Sequence, residues 1–168
     1  GLELANPIIA ASGTFGYGVE FEEIVSLDRI GAFVTKGLSR EPMPGNPSPR
    51  IIETSAGMIN AIGLQNIGVK AFLQEKLPKL RTLKCVVIAN VFGYTIEDCV
   101  EVIHALNDAE GIAMYELNAS CPNTSHGGMV FGTDPSHLYA LVSRSQQAAS
   151  RPLMVKLSPN VTSINHMT

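Results

Sequence analysis

Basic residues are few: 12 Lys and Arg stand against 15 Asp and Glu in 168 residues, for a formal net charge of -3. Such a chain lacks the clustered basic face that nucleic acid requires. Long apolar runs are missing as well. None reaches the roughly 18 residues of a membrane span, and no basic-then-apolar leader opens the chain, so no membrane association is expected. Cysteine is scarce and odd in number, at positions 85, 99 and 121. That spacing argues against a disulfide framework and against a zinc cluster. A reduced, cytoplasmic compartment and no metal are the expectation. No Gly-x-Gly-x-x-Gly follows the first apolar segment, and no acidic residue stands about 20 positions on, so a doubly wound dinucleotide fold lacks its fingerprint.

What is present is 45% hydrophobic residues, enough for a sizeable core within one domain's usual range. Short, nearly continuous apolar segments read as strands: Pro7 to Ala11, Gly31 to Thr35, Cys85 to Ala89, Ala113 to Leu117 and Leu153 to Val155. Between them the spacing predicts helices. One runs from Gly18 to Leu27, with Phe21, Ile24 and Val25 on a face. A second runs from Gly68 to Leu80, with Val69, Phe72, Leu73 and Leu77 buried. A third is capped by Thr95 with Asp98 in a capping box and buries Val100, Ile103, Ala105 and Leu106. Asp134 and Pro135 open a fourth, through roughly Ala149. Arg40 to Met58, with prolines at 42, 44, 47 and 49, reads as a long irregular stretch, and a loop of that length in a compact domain is usually functional.

Strand and helix in alternation mean a parallel sheet covered by helices. Each strand ends in a polar residue: Ser12, Lys36, Asn90, Asn118 to Asn123, and Lys156. A (β/α)8 barrel binds its ligands at those ends and takes about 250 residues. The expectation is therefore an α/β chain holding about the first five units of such a barrel. Residues 1–168 would then be one partial domain, with the carboxyl-terminal strands absent.

The stretch Asn118-Ala119-Ser120-Cys121-Pro122-Asn123 organises the rim. A cysteine that only filled a core would sit among Val and Ile, as Cys85 does; Cys121 sits among hydrogen-bonding groups. A thiol near cations is more acidic than its usual pKa of about 8.5, so Cys121 can serve as nucleophile or as general base. Lys36 and Lys156 favour an anionic ligand, and the amides of Asn60, Asn118 and Asn123 suit a heterocycle with ring nitrogens and carbonyls.

Six motifs in order carry a resemblance: Asn6-Pro7 with Ala11-Ser12-Gly13-Thr14-Phe15-Gly16, Thr35-Lys36-Gly37, Gly45-Asn46-Pro47-x-Pro49-Arg50, Asn60-x-x-Gly63-Leu64-x-Asn66, Asn118-x-Ser120-Cys121-Pro122-Asn123 and Val155-Lys156-Leu157-Ser158-Pro159. Together they resemble the dihydroorotate dehydrogenases. Cys121 resembles the soluble class 1 enzymes, and the segments around Gly16 and from His126 to Pro135 resemble subclass 1B. The resemblance implies an FMN-containing barrel that oxidises (S)-dihydroorotate to orotate in pyrimidine synthesis. It implies a partner subunit with iron–sulfur and FAD centres that passes electrons to NAD, and a homodimer. On it, Cys121 takes the C5 proton while hydride leaves C6 for the flavin. Lys36 lies between flavin and substrate carboxylate. Asn60, Ile62, Gly63, Leu64, Asn118 and Asn123 meet substrate. Ala11, Ser12, Lys36, Asn90, Asn118 and Lys156 meet flavin, Lys156 where negative charge grows on the reduced ring. A pyrimidine-reducing barrel like that of dihydropyrimidine dehydrogenase is the enzymatic alternative. An inactive fragment or assembly module is the other, and a part of the barrel alone is expected to be inactive.

Overall fold

A computed structural model describes residues 2–120 and 131–167. Five strands form one sheet in the order β1 (Ile9–Ala10), β2 (Ala32–Val34), β5 (Val86–Val91), β6 (Met114–Asn118) and β7 (Leu153–Lys156). Every neighbouring pair is parallel, with Phe33 opposite Val87, Asn90 opposite Glu116 and Asn118 opposite Lys156. β3 (Ile51–Thr54) and β4 (Gly57–Asn60) make a separate antiparallel hairpin.

Side chains alternate across a strand, and here the two faces differ. Phe33, Val87, Ala89, Val91, Tyr115 and Leu117 belong to the main core, together with the buried residues of every long helix. Ala32, Val34 and Ile88 face the other way and gather Val86, Met114, Met154 and Leu4 into a small second cluster. Helices thus cover one face only, as around a barrel; a doubly wound sheet would carry them on both.

The second helical segment is α1 (Gly68–Ala71), a wider π turn (Phe72–Lys76) and α2 (Leu77–Leu80). Pro78 explains the widening. It has no N–H to give to Gln74, and its ring would press on that carbonyl. The Leu77 N–H instead bonds to Phe72, five residues back. Val69, Phe72, Leu77 and Leu80 are buried as the spacing requires, and Leu73 is half-buried. α3 (Ile96–Asn107) carries the expected capping box: the Thr95 hydroxyl accepts from the Asp98 N–H, and the Asp98 carboxylate accepts from the Thr95 N–H. α4 (Pro135–Ala148) is capped by Asp134. Arg151 then ties the end of α3 to the sheet, donating to the carbonyls of Leu106, Asn107 and Ala109 and to the Tyr115 hydroxyl at 2.7–2.9 Å.

Four expectations give way. Gly18 to Leu27 is two 3-10 turns, Val19–Phe21 and Leu27–Arg29, with Ile24 78% exposed; ten residues with glycine at one end hold too short a repeat to sustain an α-helix. Arg40 to Met58 is irregular only to Arg50, because the β-branched run Ile51-Ile52-Glu53-Thr54 pairs with Gly57–Asn60. On α3 the buried stripe is Cys99, Val102, Ile103 and Leu106; Ala105 is exposed and Val100 half-buried. The first strand is shorter than Pro7 to Ala11, Ile9–Ala10 alone being paired. Among the described residues no helix is long and apolar enough to cross a membrane.

Candidate functional site

The inner face turns polar towards the carboxyl ends of the strands. On β5 the order is Val86, Ile88, Asn90; on β6 it is Met114, Glu116, Asn118; on β7 it is Met154, Lys156. Period-two alternation puts each set on one side. Hydrogen bonds then stitch the ends together. The Ser12 hydroxyl donates to the Thr35 carbonyl (2.8 Å), and the Thr35 hydroxyl accepts from the Asn90 N–H (3.1 Å). The Asn90 Nδ2 donates to Glu116 Oε1 at 2.6 Å in a buried setting. Asn118 Oδ1 accepts from the Ser120 N–H and hydroxyl (3.2 and 2.9 Å), an Asx turn that opens the loop beyond β6.

A cavity of about 180 Å³ lies at this rim, lined by Ser12, Lys36, Leu64, Asn90, Asn118 and Lys156, with Gly13, Gly37, Gln65 and Phe92. Gly37 is required here: a Cβ would stand 2.9 Å from the Phe92 ring and 3.0 Å from Asn90 Oδ1. A larger hollow of about 560 Å³ shares Lys36 and Gln65 and continues along Tyr17, Pro42, Met43 and Pro44. The proline-rich segment therefore borders the site. Another concavity, about 570 Å³ between α4 and β7, is lined mainly by Leu138, Tyr139, Val142, Val155, Leu157 and Met167. It holds no convergent polar set, so chemistry favours the smaller cavity at the strand ends.

The turn that brings Leu64 and Gln65 to the cavity is held from the side. Gly63 and Leu64 both have left-handed backbones, φ 76° and 58°. The strain is offset by Asn46, whose N–H and Nδ2 donate to the carbonyls of Ile62 (3.0 Å) and Ala61 (2.8 Å), and by Arg50, which reaches Gln65 at 2.5 Å. Buried Asn66 closes the turn, accepting from Ser39 and Gly68 and donating to the Leu64 carbonyl.

Six of the residues picked from the sequence thus share one cavity. Ala11, next to Ser12, is exposed; Asn60 is exposed at the end of β4; Ile62 and Gly63 sit in the clamped turn, and none of these four lines that cavity. Cys121, Asn123 and His126 lie outside the described residues. Thr35 and Glu116 were missed. Glu116 had a signal: it stands two residues before Asn118 on one strand and so shares its face.

Cys85 and Cys99 are core thiols, 6% and 2% exposed. Burial, then the Asp98 charge, pushes the Cys99 thiol up to about 12; burial, then Asp28, also raises Cys85. At neutral pH the Cys99 thiol therefore stays protonated, and the thiolate is the reactive form. Timed alkylation of the native protein followed by peptide mass mapping should label Cys121 first, with Cys85 and Cys99 labelled only on unfolding. Equal rates for all three would refute the distinction.

Comparison with known proteins follows the same direction. The family model for dihydroorotate dehydrogenase matches residues 1–168. A protein of Solibacter usitatus, provisionally named dihydroorotate dehydrogenase A (fumarate), is 61% identical over 164 residues, covering 98% of this chain and 54% of that protein. The catalytic subunit of dihydroorotate dehydrogenase B (NAD(+)) from Geobacter sulfurreducens is 54% identical over 167 residues, 99% of this chain and 55% of the relative. The chain spans about half the length of these curated relatives. The crystal structure of the Eimeria tenella enzyme in complex with ferulenol superposes with a TM-score of 0.76 at 19% identity, over 96% of this chain and 51% of that one. That likeness concerns the fold, and with the one-sided parallel sheet it makes the chain part of a (β/α)8 barrel.

Proposed function

The chain belongs to the dihydroorotate dehydrogenase family, an oxidoreductase family, and on that premise we propose that the full-length protein oxidises (S)-dihydroorotate to orotate in pyrimidine synthesis, with FMN as its cofactor. The observation that carries the reading is the convergence of Ser12, Lys36, Asn90, Asn118 and Lys156 on one cavity at the strand ends. Their chemistry fits a flavin. Two ammonium groups suit an electron-rich ring and an anionic substrate. The amides of Asn90 and Asn118 suit its imide edge, and Gly37 leaves room where a side chain would fill the wall. When bound, FMN supplies the acceptor for the hydride that leaves substrate C6.

The chain's own residues do the rest. Cys121 takes the C5 proton as general base, and Lys36 pairs with the substrate carboxylate. Asn60, Asn118 and Asn123, with the backbone from Ile62 to Leu64, orient the pyrimidine; Ala11 and Ser12 border the flavin, and Lys156 stabilises charge on its reduced ring. We further infer a cytoplasmic homodimer working with an iron–sulfur and FAD subunit that hands electrons to NAD. The B-type relatives, named as NAD(+)-using catalytic subunits, support a separate partner subunit and NAD, and the exposed Ile51, Ile52, Met58 and Ile59 of the hairpin form an apolar surface suited to a protein partner. The half of the barrel described here is expected to be inactive by itself. The dihydropyrimidine dehydrogenase alternative has no comparable support among the relatives above.

Adding orotate to the purified full-length protein should shift its flavin absorbance, and dihydroorotate should bleach it. Uracil turnover without any response to orotate would overturn the reading, as would a protein that stays colourless after addition of FMN.

A further inference from the structure

Glu116 is a carboxylate only 8% exposed, on the inner face of β6, and its partner is the wholly buried amide of Asn90 on the adjacent strand. Burying a carboxylate is costly unless it is bonded, so this placement calls for a reason. Asn90 supplies one half of it. Its Nδ2 gives a hydrogen bond to Glu116, its N–H gives one to Thr35, and its Oδ1 is buried without a partner. Among the described residues only Ser145 shares that condition. The unmet oxygen sits beside Gly37, where an added Cβ would stand 3.0 Å from it, and Asn90, Gly37 and Phe92 all line the rim cavity. A buried acceptor left unmet is expensive in the free protein and becomes favourable once a ligand brings a donor.

An amide can turn over and exchange its oxygen for its nitrogen, at little cost where the surroundings allow either. Here they do not. A carboxylate only accepts, so Asn90 must turn its nitrogen towards Glu116 and its oxygen towards Gly37 in the cavity lining. We propose that Glu116 is a positioning residue that fixes the polarity of Asn90, so that the site presents an acceptor and selects a planar heterocycle with an imide N–H. The proposal rests on the flavin reading above and adds to it the residue that decides which edge of the ring the wall accepts.

The test uses full-length apoprotein titrated with FMN and with FMN methylated at its imide nitrogen, which lacks that donor. Binding is followed by quenching of flavin fluorescence, and folding by melting temperature. Wild type should bind FMN at least about tenfold more tightly than the methylated form, the scale set by an unmet buried acceptor. In Glu116→Gln the new side-chain amide can donate as well as accept, so Asn90 is no longer held one way round, and the preference should fall to about threefold or less. The double variant Glu116→Gln with Asn90→Asp again places an acceptor on the wall and should regain the preference, an outcome a merely structural role for Glu116 does not produce. It also stands in if the single variant fails to fold. Equal affinities for the two flavins in wild type, or an undiminished preference in a folded Glu116→Gln, would overturn the proposal while leaving the flavin reading intact. Failure of wild type to bind either flavin would overturn both.

Discussion

In the full-length protein, Cys121→Ser is expected to slow reduction of the flavin by dihydroorotate by about 10²–10⁴, the usual worth of a positioned general base. A thiol ionises near pH 8.5, whereas an aliphatic hydroxyl hardly ionises in water, so serine takes the C5 proton poorly at neutral pH. Orotate affinity should stay within about threefold, because product needs the amides and lysines and not the base. Stopped-flow absorbance at the flavin maximum measures the first quantity, and a spectral titration with orotate the second. Loss of orotate binding with an unaltered reduction rate would place Cys121 in recognition and remove it from proton transfer.

The second large effect is expected at Lys156. It ends β7 on the inner face, opposite Asn118, and lines the rim cavity. Removing a unit charge about 4–10 Å from developing negative charge costs about 2–4 kcal/mol at an effective dielectric near 20. For a two-electron couple that is about 40–90 mV. Lys156→Ala should therefore lower the flavin midpoint potential by that amount, or weaken FMN binding correspondingly. Lys156→Arg, which keeps the charge, should hold most of the potential. Spectroelectrochemistry decides. An unchanged potential with full FMN occupancy in the alanine variant would sink the assigned role.

Both experiments lean on a rim that was largely legible from the chain. Apolar runs of three to five residues, each followed by Ser, Lys or Asn, pointed to parallel strands whose ends meet, because a ligand-type side chain directly after a buried strand belongs at such a rim. The helical faces of Gly68–Leu80 and the Thr95 cap were equally plain, since periodicity and capping are local. The hairpin was less visible. Four prolines before it outweighed the short β-branched run at Ile51, and antiparallel pairing of two four-residue strands leaves little trace in periodicity. Ala105 and Val100 were misassigned on α3 for a similar reason: small and medium apolar residues fit either side of a helix, and neighbours choose between them.

The five alternating strands, the parallel sheet and five members of the rim (Ser12, Lys36, Asn90, Asn118 and Lys156) followed from the sequence by itself, because strand alternation and polar strand ends are properties of consecutive residues, while the resemblance of six motifs carried the family and Leu64. Tertiary structure alone decided which polar groups are partners across strands. Nothing in the chain links Asn90 to Glu116, 26 positions apart, until the parallel register sets them side by side and burial leaves the amide one way to face. The same holds for the clamp of Asn46 and Arg50 on the turn at Gly63, since hydrogen bonds between distant segments depend on where the backbone returns and not on what lies next in line.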